Sequence, residues 1–110
     1  PMIRRHYVDG KRDYIELPPL FRWLDKTGRK TKEVSVGELK VKEGELDQTR
    51  VNKSDTQFPL IAVDGLDEEK RYTLIDGRHR LQKLIRENKQ VCDCYILTVG
   101  EYRSMITTGE

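Results

Sequence analysis

The stretch Tyr72-Thr73-Leu74-Ile75-Asp76-Gly77-Arg78-His79-Arg80-Leu81-Gln82-Lys83-Leu84-Ile85 decides the fold, because a strand, a glycine and a helix follow one another in it without a spacer. Tyr72 to Ile75 carries the aromatic and branched residues that suit a pleated, half-buried surface. Asp76-Gly77 breaks that run. Beyond it Leu81, Leu84 and Ile85 recur at i, i+3 and i+4, with Arg80, Gln82, Lys83, Arg86 and Glu87 left for solvent. The spacing predicts a helix from near Gly77 to near Asn88.

The first backbone N–H groups of a helix have no intrahelical partner, and the macrodipole adds partial positive charge at the same end. Such a junction suits an anion, phosphate above all. Gly77 admits close approach of a ligand to the backbone. Arg78, His79 and Arg80 place cationic groups at the helix end where the dipole opposes them, which is stable only with negative charge among them. Two sources of that charge fit the residues. One is a bound phosphate; the other is Asp76, capping the helix and neutralising the arginines itself.

The box Asp76-Gly77-Arg78-His79-Arg80-Leu81 after a Tyr-led strand resembles the second signature of the ParB/sulfiredoxin superfamily, where Gly-Glu-Arg-Arg or Gly-Cys-His-Arg occurs. Val34-Ser35-Val36-Gly37-Glu38-Leu39 is similar to that superfamily's opening strand and turn. Phe58-Pro59-Leu60-Ile61-Ala62-Val63 resembles its Pro-Ile-x-Val strand, and Val91 to Leu97 the strand after the helix. The likeness runs from about Glu33 to Ile106. Sulfiredoxins place a cysteine where Arg78 stands, so reduction of sulfinic acids is not implied; the partitioning proteins have a glutamate there and a helix-turn-helix downstream, neither of which is present.

The resemblance implies an α+β domain, a small mixed sheet packed with helices, with a nucleotide-phosphate site at a helix N-terminus. The ligand implied is ATP or CTP, usually with Mg2+, and superfamily members include kinases, ATPases and nucleases. On that basis Gly77 supplies backbone approach, Arg78 and Arg80 neutralise charge on a transferred phosphoryl group, and His79 hydrogen-bonds it. Asp76 is the nearest carboxylate to orient a nucleophile or metal, with helix capping as its other role. In sulfiredoxin-like relatives the segment before the Pro-Ile-x-Val strand lends a cation and hydroxyls to the nucleotide; Arg50, Lys53 and Ser54 are the residues of suitable type here. A surface loop or short polar helix is the other reading of that segment. The alternative function is a non-catalytic DNA- or partner-binding module that uses the same basic helix start, since small stand-alone members are common in phages and mobile elements.

Outside that core, Ile3 to Leu17 reads as an exposed hairpin with Tyr7-Val8 and Tyr14-Ile15 flanking the turn signal Asp9-Gly10. Arg4, Arg5, His6, Lys11 and Arg12 make it basic. Either it reaches nucleic-acid phosphates, with Tyr7 and Tyr14 free to stack, or its cations guard a sheet edge. Pro18-Pro19 reads as the end of any regular element, followed by the apolar cluster Leu20-Phe21-Arg22-Trp23-Leu24, an alternative reading of which is one helical turn opened by Pro19, and by a basic turn whose Arg29 and Lys30 are further candidates for phosphate contact. The division expected is an N-terminal extension over 1–32 and a ParB/sulfiredoxin-like domain over 33–110, forming a single unit.

Phe58 to Val63 is apolar almost throughout, as in a strand covered on both faces, and Pro59 puts it at an edge or marks its start. The charged loop from Asp64 to Arg71 joins it to Tyr72 as a hairpin. Cys92 and Cys94 alternate onto one face of the Val91–Leu97 strand, too constrained for a routine disulfide, and with His6 and His79 as the sole histidines no metal site is expected. Val99 to Ile106 reads as a short helix with Tyr102, Met105 and Ile106 on one face, before a frayed tail from Thr107.

Composition bounds the rest. At 110 residues the chain is one domain by length, and 36% charged against 35% hydrophobic leaves a modest core. A net charge of +2 does not by itself define a nucleic-acid binder. No apolar run approaches membrane-spanning length and no signal-like segment opens the chain, so a cytoplasmic protein is expected.

Overall fold

The computed structural model describes residues 4–8, 12–42 and 44–109. Strands β3 (Lys32–Ser35), β4 (Leu39–Lys40), β5 (Leu60–Asp64), β6 (Tyr72–Asp76) and β7 (Val91–Leu97) form one five-stranded sheet in the order β3-β7-β5-β6-β4. β5 runs antiparallel to β6 and parallel to β7, so the sheet is mixed. A separate antiparallel pair, β1 (Arg5–Tyr7) and β2 (Tyr14–Glu16), stands before it. The turn at Asp9-Gly10 and the side chain of Lys11 lie outside the described residues.

β5 is the central strand, and its alternation builds both cores. Leu60 and Ala62 face helix α3 (Arg78–Arg86), packing with Leu74, Leu81, Leu84, Cys92 and Cys94. Ile61 and Val63 face the other way, against Leu17, Leu20 and Leu24 of helix α1 (Leu17–Thr27) and Tyr102 of helix α4 (Val99–Ser104). A strand covered on both faces has no solvent side to keep polar, which is why its sequence is a continuous apolar run. Pro59 precedes this central strand, so it marks a start and not an edge.

Several expectations are corrected here. Pro18 and Pro19 do not end regular structure; they sit in the first turn of the eleven-residue α1, where backbone N–H groups have no helical partner to lose. Gly28, at φ 66°, closes that helix with its N–H on the Asp25 carbonyl. Ile85, counted on the apolar stripe of α3, is 45% exposed. Thr107 is not frayed, since its N–H and C=O both pair with Tyr14 at 2.7 and 3.0 Å. The hairpin is exposed on one face only: Ile15 is buried, and His6 Nε2 meets Tyr102 Oη at 3.1 Å.

The polar segment before β5 folds as the short helix α2 (Gln48–Lys53), capped by Asp47, whose Oδ1 accepts from the N–H groups of Thr49 and Arg50. Val51 is its buried anchor. Lys83 Nζ donates to the carbonyls of Asn52 and Ser54 at 2.9 Å each, fastening α2 to α3. No helix among the described residues is long and apolar enough to cross a membrane.

Candidate functional site

Gly77 is the hinge between β6 and α3. Its φ of +109° is unfavourable for any residue with a side chain, and a Cβ there would lie 2.3 Å from Leu60 Cδ2 in the core. The first intrahelical bond runs from the Leu81 N–H to the Gly77 carbonyl at 2.8 Å, leaving the N–H groups of Arg78, His79 and Arg80 without helical partners.

Asp76 does not cap this helix; Gly77, which has no side chain to cap with, occupies the cap position. The reason is a bulge. Ala62 pairs with Leu74 and Ile61 with Asp76, so Ile75 is an extra residue and Asp76 shares the sheet face of Ile61, towards α1. There its carboxylate is clamped from both sides, by Arg4 Nη2 at 2.9 Å and Arg80 Nη2 at 3.0 Å, with only 7% of its side chain exposed. Arg80 Nε, buried against Gly77, has no hydrogen-bond partner among the described residues.

The start of α3 opens onto a cavity of about 460 Å³. Its walls are Gly77 to Arg80, the end of β6, Arg50 and Ser54 of α2, Val41 and Lys42, Leu17, and the hairpin residues Arg4 to Tyr7. Arg4, Arg5, Lys42, Arg50, Arg78 and Arg80 bring cationic charge to it, against a single carboxylate among the described lining residues, Asp76, already paired twice. The imidazole of His79 is pushed below its ordinary pKa of 6.5, first by burial and then by Arg50 and Arg78. Gly44 of the preceding loop sits against Arg78, where an added Cβ would be 3.4 Å from Nη1.

The fold therefore brings together Gly77, Arg78, His79, Arg80, Arg50 and Ser54, as well as Arg4 and Arg5 from the hairpin. Lys53 is exposed on α2 and does not line the cavity. Arg29 lies elsewhere, ion-paired to Glu101, donating to the Ile96 carbonyl at 2.9 Å and stacked 5.0 Å over Trp23. Arg12 and Lys30 are exposed and apart from the cavity. Leu17, Val41 and Lys42 joined the lining without any sequence signal, and His6 and Tyr7 with a signal only for a nucleic-acid arm, because strand pairing and helix packing, not a local motif, carry them there. No cluster of three or more His, Cys, Asp or Glu among the described residues could hold a metal ion.

No known family model matches the sequence, and no curated protein matches it. Solved structures do. A free serine kinase in complex with AMP superposes with a TM-score of 0.52 at 22% identity, over 62% of this chain and 31% of the kinase. The C-terminally truncated chromosome-partitioning protein ParB from Caulobacter crescentus, complexed with CTP-gamma-S, gives 0.52 at 11% identity over 63% of this chain and 44% of that one. Sulfiredoxin from Arabidopsis thaliana gives 0.51 at 16% identity, over 68% of this chain and 94% of sulfiredoxin. The chain thus spans about a third of the kinase and less than half of ParB. It is an α+β domain with a cation-lined cavity at a strand-to-helix junction. Its fold is that of the ParB and sulfiredoxin structures.

Proposed function

We propose that the cavity at the start of α3 binds a nucleotide, ATP or CTP, through its phosphates. One observation carries this reading: the amides of Arg78 to Arg80 open into a space of about 460 Å³ on which cations from the hairpin, α2 and α3 converge. Arg50 and Ser54 line the same cavity as the helix start, and Gly77 lets the phosphates come close to the backbone. That AMP and CTP-gamma-S are bound by proteins of this fold supports the reading.

Hydrolysis or transfer of the terminal phosphate is the reaction such a site favours, with Arg78 and Arg80 countering charge on the phosphoryl group and His79 donating to it. Asp76 holds Arg80 in place in the geometry described, with both of its oxygens engaged, and so acts as a positioning residue. The described residues do not fit a protein-held Mg2+: the carboxylate on the cavity wall is committed to two guanidinium groups. The DNA-binding alternative would draw on Arg5, Arg12 and Lys30, since Arg4 is paired with Asp76 and Arg29 with Glu101.

Calorimetric titration with ATP, CTP, GTP and their diphosphates tests the proposal. Micromolar affinity that drops in Arg78→Ala supports it; a folded protein that binds none of them refutes it. Steeply salt-dependent affinity for duplex DNA would then favour the module reading.

A further inference from the structure

Four consecutive residues, Arg4, Arg5, His6 and Tyr7, line the same cavity. Strand side chains alternate between faces, so a cavity meets four in a row only by lying along the edge of the strand. The register identifies that edge. Leu17 N–H bonds the Arg4 carbonyl at 3.0 Å and Val8 N–H the Asp13 carbonyl at 2.9 Å, while Arg5 stands opposite Glu16 and Tyr7 opposite Tyr14. Arg5 and Tyr7 therefore occupy the non-hydrogen-bonded positions of the antiparallel pair, with N–H and C=O turned away from β2. Tyr14 obeys the same rule on the other side, where its outward N–H and C=O are taken by Thr107 at 3.0 and 2.7 Å. The matching groups of Arg5 and Tyr7 have no backbone partner among the described residues. One edge of the hairpin is closed by the C-terminal segment, and the other, among the described residues, is open to the cavity.

We propose that this open edge of β1 is the base-recognition wall of the site, and that Tyr7 N–H and C=O bond the edge of a nucleobase whose phosphates lie at α3. The proposal rests on the nucleotide reading given above and adds which group meets the base. Arg4 reaches Asp76 beside the start of α3, and Tyr7 lies about 10 Å from Arg4 along the strand. An extended residue offers a donor and an acceptor side by side. Adenine and cytosine present the complement, an exocyclic amine next to a ring-nitrogen acceptor. The hairpin side chains nearest this edge are engaged with each other: Arg5 lies 4.1 Å over the Tyr14 ring, and the Tyr7 and Tyr14 rings are 6.1 Å apart. The outward main-chain groups of Arg5 and Tyr7, by contrast, have no backbone partner among the described residues.

Proline isolates that contact. Tyr7→Pro removes an N–H that the hairpin does not use, at an edge position where proline is tolerated, whereas Tyr7→Ala keeps the N–H and removes the ring. Calorimetry with ATP, CTP, inorganic tripolyphosphate and purine riboside triphosphate, which lacks the amine, should show three things. The native protein binds ATP more tightly than tripolyphosphate. Tyr7→Pro weakens ATP about five- to tenfold beyond Tyr7→Ala, the loss expected for one hydrogen bond. Tripolyphosphate binds all three proteins equally. Equal ATP affinity in the two variants, or tripolyphosphate matching ATP in the native protein, overturns the base wall and leaves the phosphate site standing. Failure of the native protein to bind any of these probes overturns both. Should Tyr7→Pro not fold by circular dichroism, the native protein decides: purine riboside triphosphate weaker than ATP supports the proposal, and equal affinity overturns it.

Discussion

Arg80 Nη2 donates to the Asp76 carboxylate at 3.0 Å across the β6–α3 junction, one helical turn apart, with 20% of the Arg80 side chain and 7% of the Asp76 side chain exposed. Arg4, 72 residues away in the chain, completes the clamp on the other oxygen. An acid that is buried and shared between two guanidinium groups is a structural pin, because removing one member leaves uncompensated charge in a place water reaches poorly.

Asp76→Ala should therefore destabilise the fold by about 2–3 kcal/mol. Arg4→Ala should cost less, since 53% of that side chain already meets solvent. Urea unfolding of the two variants checks the order; a larger loss in Arg4→Ala would refute the clamp as described.

Gly77→Ala should lose about 3 kcal/mol or more, combining a strained backbone with a Cβ driven into Leu60. Gly28→Ala is the control. Its φ is +66° but nothing lies within 4 Å of the added atom, so about 1 kcal/mol is expected from backbone strain alone. Thermal unfolding separates the two.

Arg50 and Lys53 are three residues apart on α2, yet only Arg50 lines the cavity. Arg50→Ala should weaken nucleotide affinity about tenfold with stability changed by less than about 0.5 kcal/mol. Lys53→Ala should leave affinity unchanged. Equal effects in calorimetry would show that general charge, not the cavity, attracts the ligand.

His79 has its pKa lowered from 6.5 by burial and by Arg50, Arg78 and Arg4, with Asp47 opposing. A histidine whose folded pKa lies below its unfolded value binds more protons unfolded, so it lowers stability as pH falls below about 6.5 and contributes no such loss above it. His79→Gln should flatten the stability profile in that window. NMR titration of the imidazole should show the low pKa, rising when phosphate binds beside it.

Glu101 joins α4 to the loop after α1: it completes a capping box with Thr98 and pairs with Arg29. Those bonds hold its pKa below 4.5, Arg29 foremost. A carboxylate with a depressed folded pKa stabilises above its unfolded value and loses that contribution as pH falls through the folded one. Glu101→Ala should cost about 1–2 kcal/mol at neutral pH, with the difference from the native protein shrinking below about pH 4.

Much of the architecture was legible locally. The unbroken apolar run from Leu60 to Val63 identified the central strand, because a strand buried on both faces needs no polar side. Gly77 followed by Arg78, His79 and Arg80 identified the helix start, since dipole and free amides make that pattern meaningful over a few residues. Pro18-Pro19 was legible only in part, as a stop or as the opening of a single helical turn and not of the eleven-residue α1, because how far a helix runs beyond a proline depends on what the following leucines pack against, here the face of Ile61 and Val63. The capping role considered for Asp76 failed for a similar reason: the bulge at Ile75 turns its carboxylate to the opposite face, and bulges are set by pairing register.

By itself the sequence determined that a strand runs through a glycine into a basic helix start, and so that negative charge is needed at that site, from Asp76 or from a ligand, because those properties arise from neighbouring residues and short-range backbone physics. Tertiary structure alone decided which residues enclose that site. Arg4 meets Asp76, Arg50 and Ser54 line one cavity with Arg78, Arg29 turns away to Glu101, and the outer edge of β1 has no backbone partner among the described residues, because each depends on the register and packing of segments far apart in the chain.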